Sequence, residues 1–474
     1  MIRCTLVWSN YSSLGNPWSF RLLPGSSSCM NRFERLTSRE ADLTSLIELI
    51  PMHPLRELAQ LFLKLGTIGF GGPAVHIAIM EEEVVERRKW MDHQQFLDLV
   101  GATNLIPGPN STEMAIHIGY VRGGFRGLMV AGSCFLLPAI MITTVLAALY
   151  VQYGQMPQVA PILASVKPAV LAIILTAGWR LGRKAIRSRQ LAGIALLVAS
   201  GPIFWPGNEI LVLLGGSLLG CALLWQGRPA DSPPPPPGTT DDDDGDKKME
   251  TGKSVAGIGM LAMVPAAVPA KTLLAVFLSF LKVGAVLYGT GYVLIAYLDG
   301  ELVQKLGWLQ TDQLIDAIAI GQFTPGPILS TATFIGFLVM EGQGIWMQIA
   351  GATVATLGIF LPSFLLVAIT GPIIPRLRSH RGAAIFLDSV NAASMGLMGA
   401  VVLKFSYPLL FQLNDRMLSL FGNTWTISVP GGVEWISLLI LLGASIASIR
   451  YRVSPALLVL AAILIGLVQL AVGG

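Results

Sequence analysis

Beyond residue 57 the chain is a close succession of apolar stretches, most of them near the roughly 20 residues that a helix needs to cross a bilayer. They fall near 57–79, 96–119, 127–150, 159–180, 190–205 and 208–226, then near 272–298, 314–339, 345–370, 382–409, 434–449 and 454–472. Stretches that apolar must be solvated by lipid or by one another. Only 13% of the residues are charged, about half the roughly 25% of a soluble domain. A soluble enzyme, a disordered chain, collagen and a coiled coil are excluded. The expected fold is an all-α polytopic membrane protein of ten to twelve helices, with the lipid bilayer as its first partner. The shorter pairs at 190–226 and 434–472 read as hairpins or partial spans, and 254–268 is apolar but interrupted by proline.

Several chemistries lack their residues. The net charge is +4, and no basic cluster alternates with aromatics, so no nucleic-acid partner is expected. Cys4, Cys29, Cys134 and Cys221 are scattered and form neither a disulfide framework nor a metal-ligand spacing. The histidines (His53, His76, His93, His117 and His380) make no HExxH, and there is no GxSxG nucleophile elbow. Gly252-Lys253-Ser254 is not a phosphate loop, because Gly245 is at the wrong distance and no strand precedes it. No catalytic residue, cofactor or metal is expected, and the protein reads as a non-enzyme.

The first 53 residues stand apart. No acidic residue precedes Glu34, while Arg3, Arg21 and Arg32 are basic and residues 26–28 are serines. That composition fits a transit peptide or an over-extended start with Met30 as the first residue. The first reading would place the protein in an organelle membrane and the second in the plasma membrane.

The remainder is a duplication of residues 54–226 and 254–474 around a linker at 227–253, whose proline run at 233–237 and aspartates at 241–244 cannot bury a core. Lys64 aligns with Lys282, Trp90 with Trp308, Asp98 with Asp316 and Pro107 with Pro325, all at an offset of 218. A second block keeps an offset of 224, matching Pro138 with Pro362 and Ser165-Val166 with Ser389-Val390, with Lys167 opposite Asn391. One short loop holds Arg180, Arg183, Lys184, Arg187 and Arg189. The basic loop of the second copy, with Arg376, Arg378 and Arg381, comes one span earlier. By the positive-inside rule this points to inverted copies.

Each copy carries two interruptions. The first is Gly69-Phe70-Gly71-Gly72-Pro73, matched by Leu287-Tyr288-Gly289-Thr290-Gly291. The second is Pro107-Gly108-Pro109, matched by Pro325-Gly326-Pro327. Proline removes an N–H and clashes with the preceding turn, so Pro-Gly-Pro breaks a helix. Irregular backbone survives at membrane depth only where protein or a water-filled cavity surrounds it. Interruptions at corresponding positions of two repeats point to a transporter's binding site.

After the first Pro-Gly-Pro, Asn110-Ser111-Thr112-Glu113 has capping-box spacing, so a helix should restart there with free N–H groups and its positive dipole end forward. The second copy has Ile328-Leu329-Ser330-Thr331 at that point. Lys64 and Lys282 lie inside their first spans, where an anionic substrate would offset their cost, and Lys167 is a weaker candidate. Glu113 and His117, at i and i+4, are candidates for proton coupling or for a cap with a polar contact. His76 reads as structural. A tetrahedral oxyanion suits such a site. A membrane-embedded enzyme or a receptor is the alternative of a different class.

Lys64 with Phe70-Gly71-Gly72-Pro73, the loop from Glu81-Glu82-Glu83 to Trp90, Asn104 with Pro107-Gly108-Pro109-Asn110, and the degenerate second copy together resemble the chromate ion transporter family. The resemblance covers residues 54–474. It implies a long-chain, two-domain member with halves of opposite orientation that exports chromate by proton-driven secondary transport and confers chromate resistance. The expected partners are chromate or a sulfate-like oxyanion, protons, and a second copy of the chain as a homodimer. The expected substrate-binding residues are Lys64, Gly71, Gly72, Asn104, Pro107, Gly108, Pro109, Asn110, Lys282, Gly289, Pro325, Gly326 and Pro327. Thr290 and Gly291 replace Gly72 and Pro73 in the second copy, so the halves need not contribute equally.

Overall fold

In the computed structural model the described residues are 54–69, 72–103, 106–154, 156–227, 271–288, 291–370, 381–420 and 423–473. Gly71, Asn104, Gly289, the N-terminal tail and the linker lie outside them. The first repeat runs α1 (Pro54–Ile68), α2 (Pro73–Glu81, continued by a π-helical segment Glu82–Arg87), α3 (His93–Thr103), α4 (Asn110–Tyr153), α5 (Ala160–Ala185), α6 (Arg189–Phe204) and α7 (Glu209–Gly227). The second runs α8 (Leu273–Val286), α9 (Leu294–Leu298, with π-helical Asp299–Lys305), α10 (Thr311–Phe323), a 3-10 turn Ile328–Ser330, α11 (Thr331–Val339), α12 (Ile345–Thr370), α13 (Arg381–Leu410), α14 (Trp435–Arg450) and α15 (Pro455–Gly473). Among the described residues four helices, over Asn110–Tyr153, Ala160–Ala185, Ile345–Ile369 and Ile385–Leu410, are long and apolar enough to cross a membrane, and shorter apolar helices accompany them. A membrane protein of two helical repeats is what the apolar stretches predict. One antiparallel hairpin departs from the all-helical expectation, with β1 (Phe411–Leu420) paired to β2 (Asn423–Val433) between α13 and α14.

The interruptions are reversals rather than kinks. Fourteen residues beyond Gly69, Glu83 meets Lys64 at 2.8 Å, so α2 runs back along α1. Further back, Trp90 lies under the Arg122 guanidinium, which pairs with Glu57 near the start of α1. The Pro-Gly-Pro segment likewise turns α3 into the first arm of α4, since Phe96 shares one apolar cluster with Met114 and Ile118. Gly123 and Gly124 then interrupt α4, and Gly124 takes φ 58°, which disfavours a side chain. Past that turn the second arm of α4 crosses the bundle. The close packing of Gly119 against Gly127 across the turn recurs as Gly336 against Gly351 in the second repeat.

Contacts along the second arm of α4 establish how the copies are related. Its start lies by Leu55 and Leu58 of α1. Its middle, Phe135 to Ala139, touches Gly66 of α1 and Gly326 of the second Pro-Gly-Pro. Near its far end, Tyr150 donates a hydrogen bond to Asp316 of α10 at 2.8 Å. The bases of the first repeat's hairpins therefore lie at one end of the bundle and those of the second at the other, with their tips meeting between. The copies are antiparallel. The crossing that seats Gly66 against the Phe135 carbonyl is repeated by Gly284 against the Ile359 carbonyl, at the same two offsets. The scaffold helices interleave: α13 packs on α6 and α7, and its counterpart α5 packs on α14 and α15.

The end that holds the first repeat's hairpin bases is the basic one. It carries Arg56, Arg87, Arg88, Arg122 and Arg126, and α5 ends there with Arg183 and Lys184. The linker's described neighbours lie at opposite ends: Trp225 packs against Gly382 at the basic end, and Lys271 bonds the Trp308 carbonyl at the other.

Candidate binding site at the hairpin tips

Two backbone hydrogen bonds hold the centre together, and they are reciprocal. Gly108 N–H of the first Pro-Gly-Pro donates to the Leu287 carbonyl at 2.7 Å, and Gly326 N–H of the second donates to the Gly69 carbonyl at 2.8 Å. Each Pro-Gly-Pro is thus docked on the other repeat's first interruption. Gly108 has φ 148° and Gly326 φ 102°, values that only glycine takes easily. A Cβ at Gly108 would collide with the Glu113 carboxylate and the Ser363 hydroxyl, and one at Gly326 would lie 2.9 Å from the Ala139 Cβ.

Helices begin at these tips from both directions. In the first repeat α2 starts at Pro73 after Gly72, and α4 starts at Asn110 with Pro109 as its cap. In the second the 3-10 turn starts after Pro327, and α9 starts after Val293. These starts leave the first N–H groups of each element without intrahelical partners, beside the buried Glu113 carboxylate. The expected capping box is not formed. Pro109 has no side-chain acceptor, so its carbonyl takes the Thr112 and Glu113 N–H groups at 2.8 and 3.1 Å. The Glu113 carboxylate turns instead to Ser363, 3.5 Å away on α12.

Buried polar atoms gather here. Ser111 Oγ, Thr112 Oγ1, Glu113 Oε2 and His117 Nε2 in the first repeat, and Ser330 Oγ and Gln322 Nε2 in the second, have no hydrogen-bond partner. A buried polar atom without a partner costs about 1–3 kcal/mol, which makes these atoms candidates for contact with a polar ligand. Among the described residues no group of histidines, cysteines and carboxylates is arranged for a metal ion.

The lysines are elsewhere and already have partners. Lys64 pairs with Glu83 at 2.8 Å, and Arg87 and Arg88 also reach Glu83 at 3.3 Å. Lys282 pairs with Glu301 at 2.6 Å, with Lys305 at 3.8 Å. These ion pairs are equivalent at the 218 offset. A carboxylate therefore compensates each ammonium, the exposed one at Lys64 and the buried one at Lys282, where an anionic substrate was the expected partner. The signal was available: a Lys and a Glu nineteen residues apart recur in both copies. Lys167 pairs with Asp312 at 3.1 Å and lies 4.0 Å from Asp316. His76 Nε2 is 2.9 Å from the Gly69 carbonyl, which it helps to hold. Ser363 was not foreseen, because it lies 250 residues from the Glu113 that it reaches.

The family profile described as chromate transporter matches residues 56–221 and 274–467, which are the two repeats. A probable chromate transport protein of Synechococcus elongatus is 29% identical over 391 residues, covering 81% of this chain and 94% of the relative. A chromate transport protein of Cupriavidus metallidurans is 29% identical over 363 residues, covering 74% and 83%. An uncharacterized transporter of Bacillus subtilis, YwrA, is 30% identical over 160 residues, 32% of this chain but 90% of the relative, so it has the length of one repeat. No solved structure matches the chain. With both copies matched in the order the duplication predicts, the chain belongs to the chromate transporter family.

Proposed function

We propose that this protein is a secondary transporter that exports chromate, driven by the proton gradient, and so confers chromate resistance. It resides in the plasma membrane with its basic end in the cytoplasm, as the positive-inside rule requires. The observation that carries the reading is the pair of reciprocal tip contacts, which bring helix N-termini of both repeats to one partner-poor polar centre. A tetrahedral dianion satisfies such a centre. Its oxygens accept from backbone N–H groups at Gly72, Ser111 and Ile328 and from the Ser111, Thr112 and Ser330 hydroxyls. The Pro-Gly-Pro segments keep those groups out of helical hydrogen bonding. Glu113, about one turn into α4, and His117, about two turns in, are the proton-coupling candidates. Lys64 and Lys282, about one turn from their interruptions, attract the anion along the approach. The names of the Synechococcus and Cupriavidus relatives support chromate as the substrate. Sulfate is the other oxyanion that this geometry accommodates.

The test is uptake of labelled chromate into inverted vesicles under an imposed pH gradient, with sulfate as competitor. Gradient-dependent chromate uptake that excess sulfate reduces only weakly is the expected result. Equal uptake of both ions would make this a general oxyanion carrier. No uptake of either would reject the transport reading.

A further inference from the structure

The two repeats share a fold but differ in how their hairpins are covered. In the second repeat α9 packs on α7 and α13, and α10 packs on α5 and α15. The counterparts α2 and α3 pack mainly within their own repeat, on α1 and α4. Exposure follows the packing. Val75 is 39% exposed while its equivalent Val293 is 0%. The Lys64 side chain is 50% exposed while that of Lys282 is 16%. The hairpins at the far end are closed on the scaffold, and those at the basic end stand away from it.

One ion pair at the closed end has no formed counterpart at the open end. Lys404 of α13 holds Asp299, at the end of α9, at 2.5 Å. Lys404 is equivalent to Arg180 on α5 at the 224 offset, and Asp299 to Glu81 on α2 at the 218 offset. Charge is kept at both positions, but Glu81 pairs with His93 at 2.9 Å and Arg180 donates to the Ser448 hydroxyl and carbonyl at 2.7 and 2.9 Å. We infer that Glu81 and Arg180 are the latch that closes the basic end in the opposite transport state, and that this latch forms as Lys404–Asp299 opens. An inverted repeat has two such states, which exchange the conformations of its copies. Each contact closing one end then has an image that closes the other. His93 and Ser448 hold the latch residues while the basic end is open. The inference rests on the transport reading, because only alternating access requires the exchange.

The experiment uses full-length protein in proteoliposomes, with the four native cysteines replaced by serine. Two pairs are compared, Asp299→Cys with Lys404→Cys and Glu81→Cys with Arg180→Cys. At rest the first pair should form a disulfide readily and the second poorly. Chromate with a pH gradient should raise cross-linking of the second pair at least several-fold and lower that of the first, whereas direct oxidation of thiols by chromate would raise both. Either disulfide should stop flux, and reductant that is washed out before chromate is added should restore it. Glu81→Arg and Arg180→Glu should each lose most flux, with the double swap recovering much of it. A Glu81/Arg180 pair that never cross-links during active chromate flux, with no rescue by the swap, overturns the latch but leaves transport intact. State-dependent cross-linking without chromate flux would instead keep the latch and reject the substrate reading.

Discussion

Replacing Lys282 with methionine tests whether a carboxylate, not the substrate, holds the buried ammonium. The Lys282 side chain is 16% exposed and its partner Glu301 is 9% exposed. Removing one member of such a buried pair typically costs about 3–5 kcal/mol, because the other charge is stranded. Lys305, at 3.8 Å, compensates Glu301 only in part. The equivalent Lys64→Met should be far milder. Lys64 is 50% exposed, and Arg87 and Arg88 remain within 3.3 Å of Glu83. An exposed pair is worth about 1 kcal/mol or less. The two substitutions should therefore differ by roughly two orders of magnitude in unfolding equilibrium. Adding Glu301→Gln to Lys282→Met should recover most of the loss, since no uncompensated charge remains. Thermal unfolding of detergent-purified protein, followed by size-exclusion chromatography, reads all three variants without reference to flux. Equal stability of Lys64→Met and Lys282→Met, or no recovery in the double variant, would refute the reasoning.

Gly108→Ala and Gly326→Ala should each reduce flux per folded transporter at least tenfold, Gly108→Ala more severely because its Cβ strikes both Glu113 and Ser363. Flux normalised to monodisperse protein checks this. Glu113→Gln and His117→Ala should alter the pH dependence of chromate flux with little loss of protein, and an unchanged pH profile in both would make the pair structural. Single cysteines at Arg126 and Gly342 should be labelled from opposite sides of the membrane by an impermeant thiol reagent. Labelling from one side would contradict the antiparallel repeat.

Much of this architecture was legible because duplication leaves a numerical trace. The 218 offset aligned Pro107 with Pro325 and both with glycine-rich interruptions, and those four segments meet in space. The opposite placement of the basic loops pointed to inversion, and the contacts of α4 agree. Apolar length did not reveal that the first and second stretches of each copy double back. A hairpin reaching halfway in and a helix crossing once bury similar lengths of apolar chain. The recurrence of Glu83 and Glu301 nineteen residues after their lysines is readable in the sequence as a second trace of the duplication. The β-hairpin also left a trace, in the alternation of Thr424, Thr426 and Ser428 with Trp425, Ile427 and Val429. Ser363 could not be placed from sequence, since it reaches Glu113 across 250 residues.

The position of bound chromate tests the central claim most directly. Chromium is heavy enough to be located by its own anomalous scattering in crystals of the full chain. The account predicts a single strong chromium site between the Gly108 and Gly326 tips. Its oxygens should lie within hydrogen-bonding distance of the Ser111, Thr112 or Ser330 hydroxyls or of backbone N–H groups at those helix starts. Chromium held only at Lys64 or Lys282, displacing Glu83 or Glu301 and leaving the tips empty, would contradict it.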